Sequence, residues 1–146
     1  MTENDKVDVN LRLNSINELR FSLDLDEVTD SSAEYEIGFG FDFSPNKENK
    51  SLTVSTRVAL RAHDKVFLEC WYSFEFNINE IDEVIEFNDS EIKSKGDILP
   101  SLLGISFSTL RGILHTKTLG TKISPLVLPI INPQELISVR TEQAKN

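Results

Sequence analysis

Cysteine is almost missing from this chain, and with it most of the chemistry that clustered ligands would allow. Cys70 is the only cysteine, so no intrachain disulfide can form. Its place on the inward parity of an alternating stretch suits a small buried hydrophobe. Histidine is scarce too, with His63 in an expected loop and His115 on an expected helix. A structural zinc site needs four Cys or His ligands in practice, so scattered Cys70, His63 and His115 predict no metal. Asp24 and Asp26 share a strand face that could hold a cation, but a solvated acidic face is the favoured reading, and 89–96 lacks the ligand pattern of a calcium loop. There is no phosphate-cradling glycine loop and no recognisable nucleophile motif beside either histidine. No cofactor and no catalytic residue is therefore expected, and the chain reads as a non-enzyme.

Basic charge is in short supply as well. Against 24 Asp and Glu stand 15 Lys and Arg, a formal net charge of −9. Nucleic-acid binding rests on neutralising phosphates with Lys and Arg, so that class is set aside. The N-terminus shows no basic region followed by an apolar run, and no apolar stretch reads as long enough to cross a bilayer. A cytoplasmic protein without membrane insertion is expected. At 146 residues, one domain spanning 1–146 is the simplest reading, with 1–8 and 141–146 as disordered ends.

What is present is alternation. Leu52, Val54, Thr56, Val58, Leu60 and Ala62 fall on one parity, and after His63-Asp64-Lys65 the pattern resumes at Val66, Leu68, Cys70, Tyr72, Phe74, Phe76 and Ile78. Period two means strands, and the three intervening residues suit a hairpin loop. Ala62 would then oppose Val66, Leu60 oppose Leu68, and Val54 oppose Phe74, with both apolar sets on one face. Phe67 and Trp71 fall on the other, otherwise polar, face. Either Arg61 and Arg57 lie over their rings, or that face meets a partner.

Before this hairpin, Val7 to Leu25 reads as one long interrupted strand, and Tyr35, Ile37, Phe39, Phe41 and Phe43 form another, expected to pair with the strand that begins at Ser51. After Asn79 comes an acidic connector, part helical. Leu99, Leu102, Leu103, Leu110, Ile113 and Leu114 then recur at helical spacing, with Pro100 in the first turn and Gly120 as the stop. Three prolines keep 125–133 extended, and Pro133 starts a short helix to about Arg140. The fold class is α+β: a four-stranded antiparallel sheet followed by one long helix and a short C-terminal helix.

This order of elements resembles the SecB family of protein-export chaperones over roughly Val9 to Ile137. The likeness rests on Val9 to Phe21 as first strand, Val66 to Ile78 as fourth, the helix around Leu110-Arg111 closing at Gly120, and Leu126-Val127-Leu128-Pro129-Ile130-Ile131-Asn132 before Gln134-Glu135-Leu136. The resemblance implies a homotetramer, a dimer of dimers, that holds unfolded polypeptide clients in long grooves and hydrolyses nothing. Export members carry a zinc-binding tail that contacts the translocase motor SecA. Here the chain ends Thr141-Glu142-Gln143-Ala144-Lys145-Asn146, so SecA as a partner would have to be met without zinc. SecB-like chaperones also serve toxin–antitoxin systems, and a dedicated client of that kind is the alternative, beside a non-chaperone protein-binding module. A groove for many sequences should be open and apolar. Its candidate residues are Phe39, Phe41, Phe67, Trp71, Phe74, Phe76, Leu110 and Leu114, with plain core as the rival reading for the inward phenylalanines Phe39, Phe41, Phe74 and Phe76.

Overall fold

The hairpin at the centre of the sequence is also the centre of the structure, a computed structural model that describes residues 9–27, 35–87, 92–123 and 127–145. Strands β1 (Leu11–Leu23), β2 (Glu36–Asn46), β3 (Ser51–Ala62) and β4 (Lys65–Ile78) form one antiparallel sheet in the order β1-β4-β3-β2. β3 and β4 are central, and β1 and β2 are the edges. Val54 opposes Phe74, Val58 opposes Cys70 and Leu60 opposes Leu68, as the alternation predicts.

At the hairpin tip the prediction fails, for a local reason. His63 and Asp64 both take positive φ, 53° and 65°, which is the two-residue turn whose twist matches a hairpin. Ala62 therefore pairs with Lys65 and Arg61 with Val66, and one residue of β4, Phe67, is left over as a bulge. The extra residue reverses the parity before it. Val66 is 43% exposed, whereas Phe67 is 1% exposed and meets Tyr35 edge to face at 6.0 Å. Phe67 is thus a core residue, not the outward one the alternation implied.

β1 carries two further irregularities, leaving Asn14 and Leu19 without a partner in the register. Between them Ile16 and Glu18 occupy the face that also holds Phe74 and Tyr72. The connector is more ordered than the sequence suggested. It contains α1 (Ile81–Val84) and a two-stranded ribbon, β5 (Ile85–Phe87) with β6 (Ile92–Ser94).

One face of the sheet is covered by α2 (Ile98–Lys117). Its buried stripe is Leu99, Leu102, Leu103, Phe107, Leu110 and Leu114, the spacing that places side chains on one side of a helix. Pro100 stands in the first turn, where its missing N–H costs nothing. The left-handed Gly120, φ 77°, follows the end. Contrary to expectation, α2 is long and apolar enough, by length and composition, to cross a membrane; in this fold its apolar stripe is spent on the sheet. After 127–132, α3 (Pro133–Lys145) begins with Asn132 accepting from the N–H groups of Gln134 and Glu135 at 3.1 and 3.2 Å. The helix runs five residues past the expected end at Arg140. The expected disorder of 1–8 lies outside the described residues.

Candidate functional site

The eight candidate residues separate into three groups by exposure. Phe67, Phe74, Phe76, Leu110 and Leu114 are at most 2% exposed in this chain. They join sheet to helix and present no surface to a client, because α2 lies directly over the inner face. Phe39 and Phe41 are half-buried. Phe39 packs edge-on against Phe107 at 5.8 Å, and Phe41 against Phe43 at 5.6 Å. Arg140 of α3 closes over this end of β2: its guanidinium stands 4.8 Å above the Phe41 ring, donates to the Phe41 carbonyl, and pairs with Asp42 at 2.6 Å. An edge strand is thereby partly protected.

Trp71 alone of the eight lies outward, 36% exposed. Cross-strand neighbours Gly40, Arg57, Trp71 and Arg20 form one row over the four strands. The Arg57 guanidinium sits 5.3 Å from the indole ring, so the stacking predicted for an arginine over an outward ring holds for Trp71. Glu69 ties this row together, accepting from Arg57 at 2.6 Å and from Arg20 at 3.3 Å. Gly40 leaves space beside Arg57, whose Cβ would lie 3.7 Å from an added methyl.

The inner seam between β1 and α2 holds a polar group that alternation did not foresee. Glu18, brought inward beside Tyr72, accepts from the Tyr72 hydroxyl at 2.6 Å and from Lys117 at 2.7 Å. The Lys117 ammonium also lies 4.4 Å above Phe21. Hydrogen bonding to Lys117 and Tyr72 holds the Glu18 carboxyl below the usual range, and Glu18 raises Lys117 in return. Burial first, then the bond to Glu18, pushes Tyr72 up to about 12. Burial likewise pushes the Cys70 thiol up to about 12, so it is held as the inert neutral form. At the opposite end, the Asn10 backbone N–H and side-chain amide bind Glu80 at 2.9 and 3.0 Å and lower its carboxyl.

The apolar surface that is open lies elsewhere than the aromatic rows suggested. On β1, Leu11, Leu13, Ile16 and Leu19 are 40–54% exposed. Beside α2, Ile105, Val127 and Ile130 are 45%, 63% and 87% exposed. There a shallow groove of about 160 Å³ runs between Gly104, Phe107, Ser108 and Arg111 of α2 and the stretch Leu128 to Pro133. The helical residues fall at i, i+3, i+4 and i+7, a pattern visible in the sequence once the helix is known. A second cleft of about 280 Å³ at the hairpin tip is polar, lined by Tyr35, Glu36, Arg61, His63 and Asp64. His115 is exposed on α2. No group of three or more His, Cys, Asp or Glu side chains is placed to hold a metal among the described residues.

No protein-family model matches the sequence, and no curated protein does. Solved structures do match. The Mycobacterium tuberculosis Rv1957 SecB-like chaperone, in complex with a ChAD peptide from the Rv1956 HigA1 antitoxin, is 13% identical, with 83% of this chain and 87% of that chain covered and a TM-score of 0.55. A protein of unknown function from Streptococcus agalactiae is 11% identical, with 84% of this chain and 99% of that one covered and a TM-score of 0.46. A four-stranded antiparallel sheet, one long helix and a C-terminal helix in this arrangement make the fold of the chain SecB-like.

Proposed function

We propose that the protein is an ATP-independent chaperone that binds unfolded polypeptides and keeps them competent for folding or transport. The observation that carries this reading is the pairing of a SecB-like fold with apolar surface spread along β1 and along 127–131, not gathered into a pocket. Among the described residues, the two clefts named above fall below the roughly 300–1,000 Å³ typical of small-ligand sites. A spread, open surface suits a client recognised by composition instead of shape.

In this reading Phe39, Phe41 and Trp71 contribute contact from the sheet, while Phe67, Phe74, Phe76, Leu110 and Leu114 support the surface from beneath. The edge strand β1, with Leu11, Leu13, Ile16 and Leu19, meets a second copy, since such a row left open invites edge-to-edge pairing. The reading includes a homotetramer, a dimer of dimers, in the cytoplasm, with the β1 contact as one of its interfaces. One observation favours a narrower role: the SecB-like neighbour from Mycobacterium tuberculosis holds an antitoxin peptide, so a chaperone dedicated to a toxin–antitoxin client is the second reading.

The test is suppression of aggregation without nucleotide. A heat-unfolded client should stay in solution when the protein is added in stoichiometric amount, and ATP should change nothing. Unaltered client aggregation at several-fold excess of the protein would refute the proposal.

A further inference from the structure

The groove beside α2 has one feature that general apolar binding does not explain. Among the described residues of its lining, Arg111 is the only charged one. The chain carries a net charge of −9, and Arg20, Arg57 and Arg140 are each matched to one of its carboxylates. Arg111 is not so matched: its one hydrogen bond among the described residues goes to the Ser108 hydroxyl at 3.3 Å. It is half-buried at the mouth of the groove, and a guanidinium in that position keeps donors for a planar anion.

The groove itself measures one side chain. Its volume of about 160 Å³ lies well under the ~300 Å³ lower bound for small-molecule sites. Gly104 allows Pro133 to lie against α2, since an added Cβ would stand 3.2 Å from the Pro133 ring. Ile130 of the lining and Ile105, next to Gly104 in the chain, are exposed apolar side chains.

Building on the chaperone reading, we propose that this groove anchors client segments in which a leucine- or phenylalanine-sized side chain stands beside a carboxylate side chain, the apolar group filling the groove and the carboxylate taken by Arg111. Charge complementarity selects this occupant. The acidic chain repels anionic segments at long range, but that field is screened beyond ~8 Å at physiological salt. The local guanidinium therefore sets which stretch of a client is gripped first.

The test is fluorescence anisotropy with labelled, unstructured Gly/Ser peptides carrying a single Leu-Glu, Leu-Gln, Leu-Lys or Ala-Glu pair. Leu-Glu should bind tightest, about five- to tenfold above Leu-Gln for a partly exposed, charge-assisted pair, and this margin should shrink at high salt. Arg111→Gln should abolish the margin with circular dichroism and light-scattering mass unchanged, and Arg111→Glu should turn the preference toward Leu-Lys. Should Arg111→Gln fail to fold, Arg111→Lys and the native ranking decide, the ranking having to favour Leu-Glu. Equal binding of Leu-Glu and Leu-Gln by the native protein, or a preference that survives Arg111→Gln, overturns the proposal. So does a change of assembled mass in Arg111→Gln, which would mean that a second copy fills the groove. Aggregation suppression measured in parallel separates the two levels. Suppression without the acidic preference removes only this inference, whereas the preference without suppression removes the chaperone reading.

Discussion

Replacing Val66 and Phe67 one at a time tests the bulge at the hairpin tip, because strict alternation and the observed register predict opposite outcomes. By alternation Val66 is core and Phe67 is surface. In the structure Phe67 is 1% exposed beside Tyr35, and Val66 is 43% exposed. Phe67→Ala should then lose the transfer free energy of a buried ring together with a cavity contribution, about 3–5 kcal/mol in all. Val66→Ala, at a surface position, should stay within about 0.5 kcal/mol. With a urea m-value of roughly 2 kcal/mol/M, the Phe67→Ala midpoint should fall by about 1.5–2.5 M while that of Val66→Ala hardly moves. The assay is equilibrium urea unfolding followed by far-ultraviolet circular dichroism, run at several protein concentrations because association shifts the midpoint by mass action. A larger loss for Val66→Ala than for Phe67→Ala would refute the two-residue turn and the register built on it.

Three other outcomes follow from the same geometry. The raised Cys70 thiol contributes stability that is present below its ordinary value near 9 and lost as pH rises toward about 12, so native Cys70 should react with a thiol reagent only as fast as the protein opens; rapid labelling at neutral pH would contradict its burial. Glu18 is lowered, so the stability it lends β1 and α2 is present above the ordinary carboxylate range and lost as pH falls through its depressed value. Glu18→Gln should therefore reduce the difference in melting temperature between about pH 7 and about pH 3, and an unchanged acid profile would show the contact is not made. Arg140→Ala removes an exposed ion pair and a cation–π contact, each worth at most about 1 kcal/mol; it should speed amide exchange in α3 about tenfold and leave β3 and β4 protected, and equal exchange in α3 would mean the clasp on Asp42 contributes nothing.

The central sheet was legible because β3 and β4 each bury one parity, so Leu60, Val58 and Val54 find Leu68, Cys70 and Phe74 without ambiguity. α2 was legible for a similar reason, since Leu99 to Leu114 repeat at helical spacing, with Pro100 in the first turn and Gly120 past the end. What alternation could not reveal are its phase changes. A single residue inserted at Phe67, and others at Asn14 and Leu19, exchange inside for outside without altering composition. Glu18 reached the inner face in that way and found Tyr72 and Lys117. The ribbon of β5 and β6 has strands of three residues each, too short for a period to show. α3 outlasts Arg140 because Gln143, Ala144 and Lys145 favour helix without an apolar stripe to announce it. Of the candidate site, the outward Trp71 and its arginine were readable. Burial of Leu110 and Leu114 depended on how α2 lies over the sheet, and Arg111 gained its interest only from the segment that crosses Gly104.

The central claim is that one assembly of this chain holds an unfolded polypeptide. Size-exclusion chromatography with light scattering, on the native protein alone and with a labelled, permanently unfolded polypeptide, addresses it directly. The account predicts a species of four times the 16.5 kDa of one chain, and comigration of the unfolded polypeptide but not of its folded form. A monomer from which the unfolded polypeptide separates completely would contradict it.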